Sequence, residues 1–72
     1  MGEKLTIYWE FGQTGLKYIN GKEAIPFKEV TRRASQGHYS QIVDEWSGPI
    51  PVNLWMEMKA KKNDLEKFVK QG

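Results

Sequence analysis

Three groups of residues in this chain have the types from which catalytic chemistry is built. His38, Ser40 and Asp44 lie close together and supply a base, a hydroxyl and a carboxylate, the set that nucleophilic catalysis requires. On a helix through this segment they do not converge, so His38 reads as part of a polar turn after Gly37. Asp44 and Glu45 are adjacent, and adjacent side chains on a helix point about 100° apart rather than across a cleft. They read as a solvated helix face. Gly12-Gln13-Thr14-Gly15 has glycines but lacks the lysine and the strand-to-helix setting of a phosphate loop, which makes it a hairpin turn. With no cysteine and one histidine, a zinc site lacks its usual ligands, and no metal or cofactor is expected. A metal-free nuclease built from Tyr, Arg and Lys is the one conceivable enzyme. No spacing selects it, and the expectation is a non-enzymatic protein.

Binding chemistry has more material. No Lys or Arg occurs between Arg33 and Lys59, and that stretch holds Trp46, Trp55, Met56 and Met58 together with Asp44, Glu45 and Glu57. Tryptophan anchors interfaces and methionine adapts to irregular surfaces. Trp55, Tyr8, Trp46 and Met56 are therefore the candidates for contact with another protein, as an adaptor, inhibitor or phage-type regulator, or with a second copy of the chain. The alternative is a nucleic-acid-binding module using Lys17, Lys22, Arg32, Arg33, Lys59, Lys61 and Lys62, with Tyr8 beside them to stack a base. Glu10 and Glu23 oppose that reading. A helix-turn-helix over residues 27–46 is disfavoured, because Arg33 stands where the motif takes a small residue, and Asp44 and Glu45 would repel phosphate.

The elements that must position these residues can be read from periodicity. Leu5, Ile7, Trp9 and Phe11 alternate with Lys4, Thr6, Tyr8 and Glu10, the pattern of a half-buried strand. The strand resumes at Leu16-Lys17-Tyr18-Ile19. Setting Phe11 opposite Leu16 places Glu10 against Lys17 and Trp9 against Tyr18, both favourable cross-strand pairs. Asn20-Gly21 marks a second hairpin, leading to a short strand over 22–25. Pro26 suits the first turn of a helix, the stripe Phe27, Val30 and Ala34 continues it, and Gly37 stops it. Tyr39, Ile42, Val43 and Trp46 recur at i, i+3, i+4 and i+7, which predicts a second short helix, with a strand through 41–43 as the alternative.

Ile50, Val52, Leu54, Met56 and Met58 then alternate with Pro51, Asn53, Trp55, Glu57 and Lys59. Alternation predicts a strand over 50–59, although Met, Glu, Leu and Ala are good helix formers. Asn63 with Glu66 three residues on resembles a capping box, so a fresh helix is expected over 64–71. In that register Trp55 points away from the apolar set, and one face or the other exposes a large ring. The three-strand-then-helix order is similar in architecture to integrase arm-binding and plant transcription-factor domains, without a motif that matches them residue by residue.

Together these readings predict one α+β domain of 72 residues. Its sheet is antiparallel with three to four strands, beginning with a three-stranded meander. One or two short helices lie in the middle, and a C-terminal helix packs on the sheet. A chain of this length buries only roughly 60% of its unfolded surface, so its nine aromatic residues must supply much of the core. The net charge of +2 permits nucleic acid without arguing for it. No apolar run approaches a membrane span, and no signal peptide is visible. A soluble, cytoplasmic location is the expectation.

Overall fold

The computed structural model describes residues 2–69. Strand β1 (Glu3–Glu10) is central, β2 (Lys17–Asn20) and β3 (Glu23–Ile25) follow it, and helix α1 (Phe27–Ser35) leads to strand β4 (Tyr39–Ser47) and helix α2 (Val52–Glu66). The sheet order is β3-β2-β1-β4. Within it β1–β2 and β2–β3 are antiparallel, whereas β4 lies parallel to β1. The sheet is thus mixed, not the antiparallel sheet expected. Parallel neighbours cannot be joined by a tight hairpin, and here β2, β3 and α1 form the crossover.

The meander forms where it was read, with two changes of detail. Tyr8 pairs with Lys17 and Ile7 with Tyr18, so the expected pairs Glu10–Lys17 and Trp9–Tyr18 do not form. A two-residue shift preserves which face each side chain takes, and Leu5, Ile7 and Trp9 are all buried. The longer loop that results is organised by Trp9 and Gln13. The Trp9 indole N–H donates to the Gln13 carbonyl at 3.0 Å, and the Gln13 amide donates to the carbonyls of Gly15 and Tyr8. In the second hairpin Asn20 pairs with Glu23, so the turn is Gly21-Lys22 rather than Asn20-Gly21. Gly21 carries the positive φ of 67°.

Helix α1 agrees with its sequence. Val30 and Ala34 are buried, and the Phe27 ring lies 5.0 Å from that of Tyr18. At its end the Gly37 N–H donates to the Ala34 carbonyl and the His38 N–H to that of Arg33. Gly37 supplies the left-handed φ of 76° that this C-terminal closure requires.

Residues 39–46 were expected to form a short helix, with a strand through 41–43 as the alternative, and they form β4. A bulge explains the misleading spacing. Glu3 pairs with Tyr39 but Lys4 with Gln41, which leaves Ser40 as an extra residue. One inserted residue reverses the alternation of faces, so Tyr39 and Ile42, three apart, are both buried. Gly2 lies against this bulge, and a Cβ there would collide with Ser40.

The strand expected over 50–59 and the fresh helix over 64–71 are one continuous helix, α2; residues 70 and 71 lie outside the described residues. Asn63 is internal to α2 and caps nothing. Helix propensity prevails over alternation because Met58 and Leu65 are buried and Leu54 packs beside them, a seam at spacings of four and seven. Lys61 interrupts that seam in the sequence, yet its ammonium sits 4.5 Å from the centroid of the Phe27 ring. Val30 and Ala34 of α1 and Met58 and Leu65 of α2 join Leu5, Ile7, Trp9, Tyr18, Ile25, Tyr39 and Ile42 in one core, and no described helix covers the opposite face of the sheet.

Two substitutions test this assignment. Asn63→Ala is expected to raise the urea midpoint, by about 0.5 kcal/mol of intrinsic helix propensity; a capping Asn63 would instead lose about 1 kcal/mol. Met58→Ala removes a fully buried side chain and is expected to cost about 2–5 kcal/mol, enough to lower the midpoint severely in a domain this small.

Candidate functional site

The first two turns of α2 run beside the C-terminal end of β4, and this is where exposed apolar side chains gather. Val52, Trp55, Met56 and Lys59 fall at i, i+3, i+4 and i+7 on one helix face. Trp46 and Asp44 lie on the helix-covered side of β4, since they pair with the inward-facing Trp9 and Ile7. Their backbone placement brings Lys59 between the two tryptophans. Its ammonium is 2.7 Å from Asp44 Oδ2 and 5.4 Å from the centroid of each indole ring. The Asp44 side chain is 13% exposed and that of Lys59 39%.

Phe11 extends the cluster from the end of β1. Its N–H donates to the Ser47 carbonyl at 3.0 Å, and it lies against Gly48, where a Cβ would stand 3.0 Å from its own. Phe11, Trp46, Val52, Trp55 and Met56 are the large apolar residues left exposed among the described residues. A shallow, open depression beside them is lined by Asp44, Glu45 and Trp46.

Of the four residues expected at a protein-binding surface, the fold thus brings Trp46, Trp55 and Met56 to one end and places Tyr8 elsewhere. Tyr8 is on the uncovered face of the sheet with Thr6, Ile19 and Val43, where its hydroxyl donates to Glu10 at 3.2 Å. Partial burial, together with the nearby carboxylates of Glu10 and Glu45, raises its pKa. Phe11, Val52 and Asp44 were missed. The signal for Asp44 was available only with β4 read as a strand, whose alternation puts it on the same side as Trp46.

The basic residues proposed for nucleic acid are distributed differently. Arg32 and Arg33 both grip Glu29, Arg33 at 2.8 Å, and Arg33 also donates to the buried Asn20 side chain at 3.3 Å. Asn20 in turn donates to Glu3, whose carboxylate also accepts from the His38 Nε2–H at 2.8 Å. These contacts stitch α1 to β2 and β1. Lys59 is held by Asp44, Lys61 lies over Phe27, and Lys62 is half-buried on α2. Lys17 stands on β2 and Lys22 in the turn after it, so the seven do not form one patch.

The catalytic arrangements also separate. His38 pairs with Glu3, Ser40 sits at the bulge, and Asp44 is at the far end of β4, while Asp44 and Glu45 point to opposite faces of the sheet. No group of three His, Cys, Asp or Glu with metal-binding geometry occurs among the described residues. No described helix is long and apolar enough to cross a membrane. Comparison of the chain with protein-family models, with curated proteins and with solved structures returned no match.

The hydrogen bonds from Arg32 and Arg33 depress the Glu29 carboxyl from an ordinary 4.5 to about 2. Glu3 is lowered by its bonds to Asn20 and His38. A depressed carboxylate stabilises the fold above its unfolded pKa, and that stabilisation is lost as pH falls toward the folded value. Stability is therefore expected to decline between about pH 4.5 and pH 2, and Glu29→Gln to flatten that slope in urea titrations without altering the profile above pH 6.

Proposed function

We propose that this protein is a non-enzymatic binding module that recognises another protein through the aromatic end formed by Trp46, Trp55, Met56, Phe11 and Val52. The observation that carries this reading is the exposure of both tryptophans, Trp46 at 42% and Trp55 at 39%, at one place in a domain that otherwise buries its third, Trp9. A large ring left in water beside other apolar groups is unfavourable for an isolated molecule, and such patches mark interaction sites. Tryptophan is also the residue type most enriched where truncation abolishes binding.

The nature of the surface argues for side-chain docking rather than addition of a strand. β4 is an edge strand, and edges invite pairing with other chains. Its bulge at Ser40 and the inward-facing carboxylate of Asp44 are devices that discourage such pairing. The uncovered sheet face, with Lys4, Lys17, Glu10 and Glu45 around Tyr8 and Ile19, has mixed charge and no apolar cluster comparable to the end of α2. A nucleic-acid reading would draw chiefly on Lys17 and Lys22, because Arg32, Arg33, Lys59 and Lys61 already have partners within the chain.

The test compares proteins retained by the native chain and by two variants. A polypeptide partner is expected to resist nuclease treatment and to be retained by Lys17→Ala/Lys22→Ala. Trp55→Ala should weaken it by about thirtyfold, the loss typical of an interface hot spot of about 2 kcal/mol, while circular dichroism shows an unchanged fold. Binding that follows nucleic acid, falls steeply with salt and is lost in the double lysine variant would replace this reading with the alternative, since counterion release makes phosphate binding salt-dependent.

A further inference from the structure

Lys59 occupies a site whose components are those of a cation receptor. Its ammonium is within hydrogen-bonding distance of a largely buried carboxylate, Asp44, and lies between two indole rings at 5.4 Å from each centroid, inside the roughly 6 Å range of cation–π attraction. We propose that Trp46, Trp55 and Asp44 form a cage that accepts a lysine side chain from the protein partner, and that Lys59 is an internal occupant which the partner displaces. The inference rests on the protein-binding reading above and names the chemistry that reading lacks.

The chain's own lysine demonstrates the chemical fit. Three further features make it a displaceable occupant rather than a fixed strut. The Lys59 side chain is partly exposed, at 39%, and its four-carbon stem can swing into water without opening the core, because α2 is anchored through Met58 and Leu65. The depression next to the cage, lined by Asp44, Glu45 and Trp46, is open, so an incoming ammonium has a path to the Asp44 carboxylate. Between Arg33 and Lys59 the sequence has no Lys or Arg, so the strand and the first helical turn that carry Trp46 and Trp55 bring no fixed positive charge to the cage.

The internal lysine also sets selectivity. A tethered group competes at an effective concentration in the millimolar range or above, so an isolated amine in dilute solution does not displace it. A partner lysine succeeds only when neighbouring apolar residues gain contact with Phe11, Val52 and Met56. The recognised feature is therefore a lysine flanked by apolar side chains, presented on a flexible or extended segment of the partner.

The probe is a synthetic peptide with one lysine between leucines, alongside its acetyllysine, trimethyllysine and glutamate counterparts. Binding is read from the indole N–H signals of Trp46 and Trp55 in 15N-correlated spectra. The native chain is expected to bind the lysine peptide weakly. Lys59→Ala and Lys59→Gln should both bind it about tenfold tighter or more, since removing a competing closed state raises the competent fraction. Lys59→Gln keeps a donor for Asp44 and so guards against a loss of fold. Adding Asp44→Asn or Trp46→Ala should reverse the gain, and the acetyllysine and glutamate peptides should fail on every variant. Trimethyllysine binding comparable to lysine supports the cage, because the rings rather than a donated hydrogen bond then hold the cation.

Equal affinity in native and Lys59 variants, or equal binding of lysine and acetyllysine peptides, overturns the proposal. If the peptides fail throughout while Trp55→Ala still releases the captured protein, the cage is wrong and the aromatic surface stands. If Trp55→Ala leaves capture intact as well, both fall.

Discussion

The parallel pairing of β1 with β4 is the constraint on which the rest of this structure depends. β1 is paired on both sides and contributes Leu5, Ile7 and Trp9, all buried, to the core. Because β4 runs in the same direction, the chain between them must cross from one end of the sheet to the other. That crossing carries α1, and α2 then returns beside β4. Both helices contribute to the same core, so one face of the sheet is covered and the other is left to polar and mixed side chains. The exposed aromatic end follows from the same geometry: β1 and β4 finish together, at Glu10 and Ser47, and α2 begins there.

The elements of the first half of the chain were legible because their local signals agreed with the fold, although the register of the first hairpin and the turn of the second were not. Alternation in β1, the glycine at the second hairpin, the stripe of α1 and its glycine stop all depend on neighbours within a few residues. The second half was not, for two physical reasons. In β4 the bulge at Ser40 brings Tyr39 and Ile42 to the same face at a spacing of three, which imitates a helical turn. A bulge is set by pairing with a distant strand, and no local pattern announces it. In α2 the exposed aromatic face adds Val52, Trp55 and Met56 to the buried seam at Leu54, Met58 and Leu65. Two apolar stripes on one helix blur into an alternation that resembles a strand. Trp46, Trp55 and Met56 were identifiable as surface candidates by residue type alone. Their convergence with Lys59 required both elements to be assigned correctly, and Tyr8, chosen as an exposed ring on the outer face of the meander, is separated from them by the pairing of β1 with β4.

The polar groups divide the molecule into two ends with different roles. At one, Glu29, Arg33, Asn20, Glu3 and His38 link α1, β2 and β1 in a chain of hydrogen bonds. Asn20 is buried, and an unsatisfied amide there would cost about 1–3 kcal/mol, so the arginine and glutamate that contact it are structural. Their engagement explains why a helix with two adjacent arginines does not present a free basic face. At the other end Lys59 supplies the cation, and its contacts are with the largely buried Asp44 and with two tryptophans that remain partly in water.

The balance of effects at that second end favours a surface held ready for a partner. The attraction between Lys59 and the largely buried Asp44 is offset by the desolvation of that carboxylate, and a cation over an exposed ring contributes about 0.5–1 kcal/mol. Folding alone gains little from this arrangement, compared with about 1.5–3 kcal/mol for fully burying one large apolar side chain. Replacing Lys59 and Asp44 with apolar residues would pack the two tryptophans more firmly, and it would also leave a larger contiguous apolar patch, a liability for association. The charged pair thus keeps two large rings separated and hydrated at their edges while holding them in a fixed relative position. Rings fixed in place lose little further freedom on binding, which is the condition under which exposed apolar area converts efficiently into affinity.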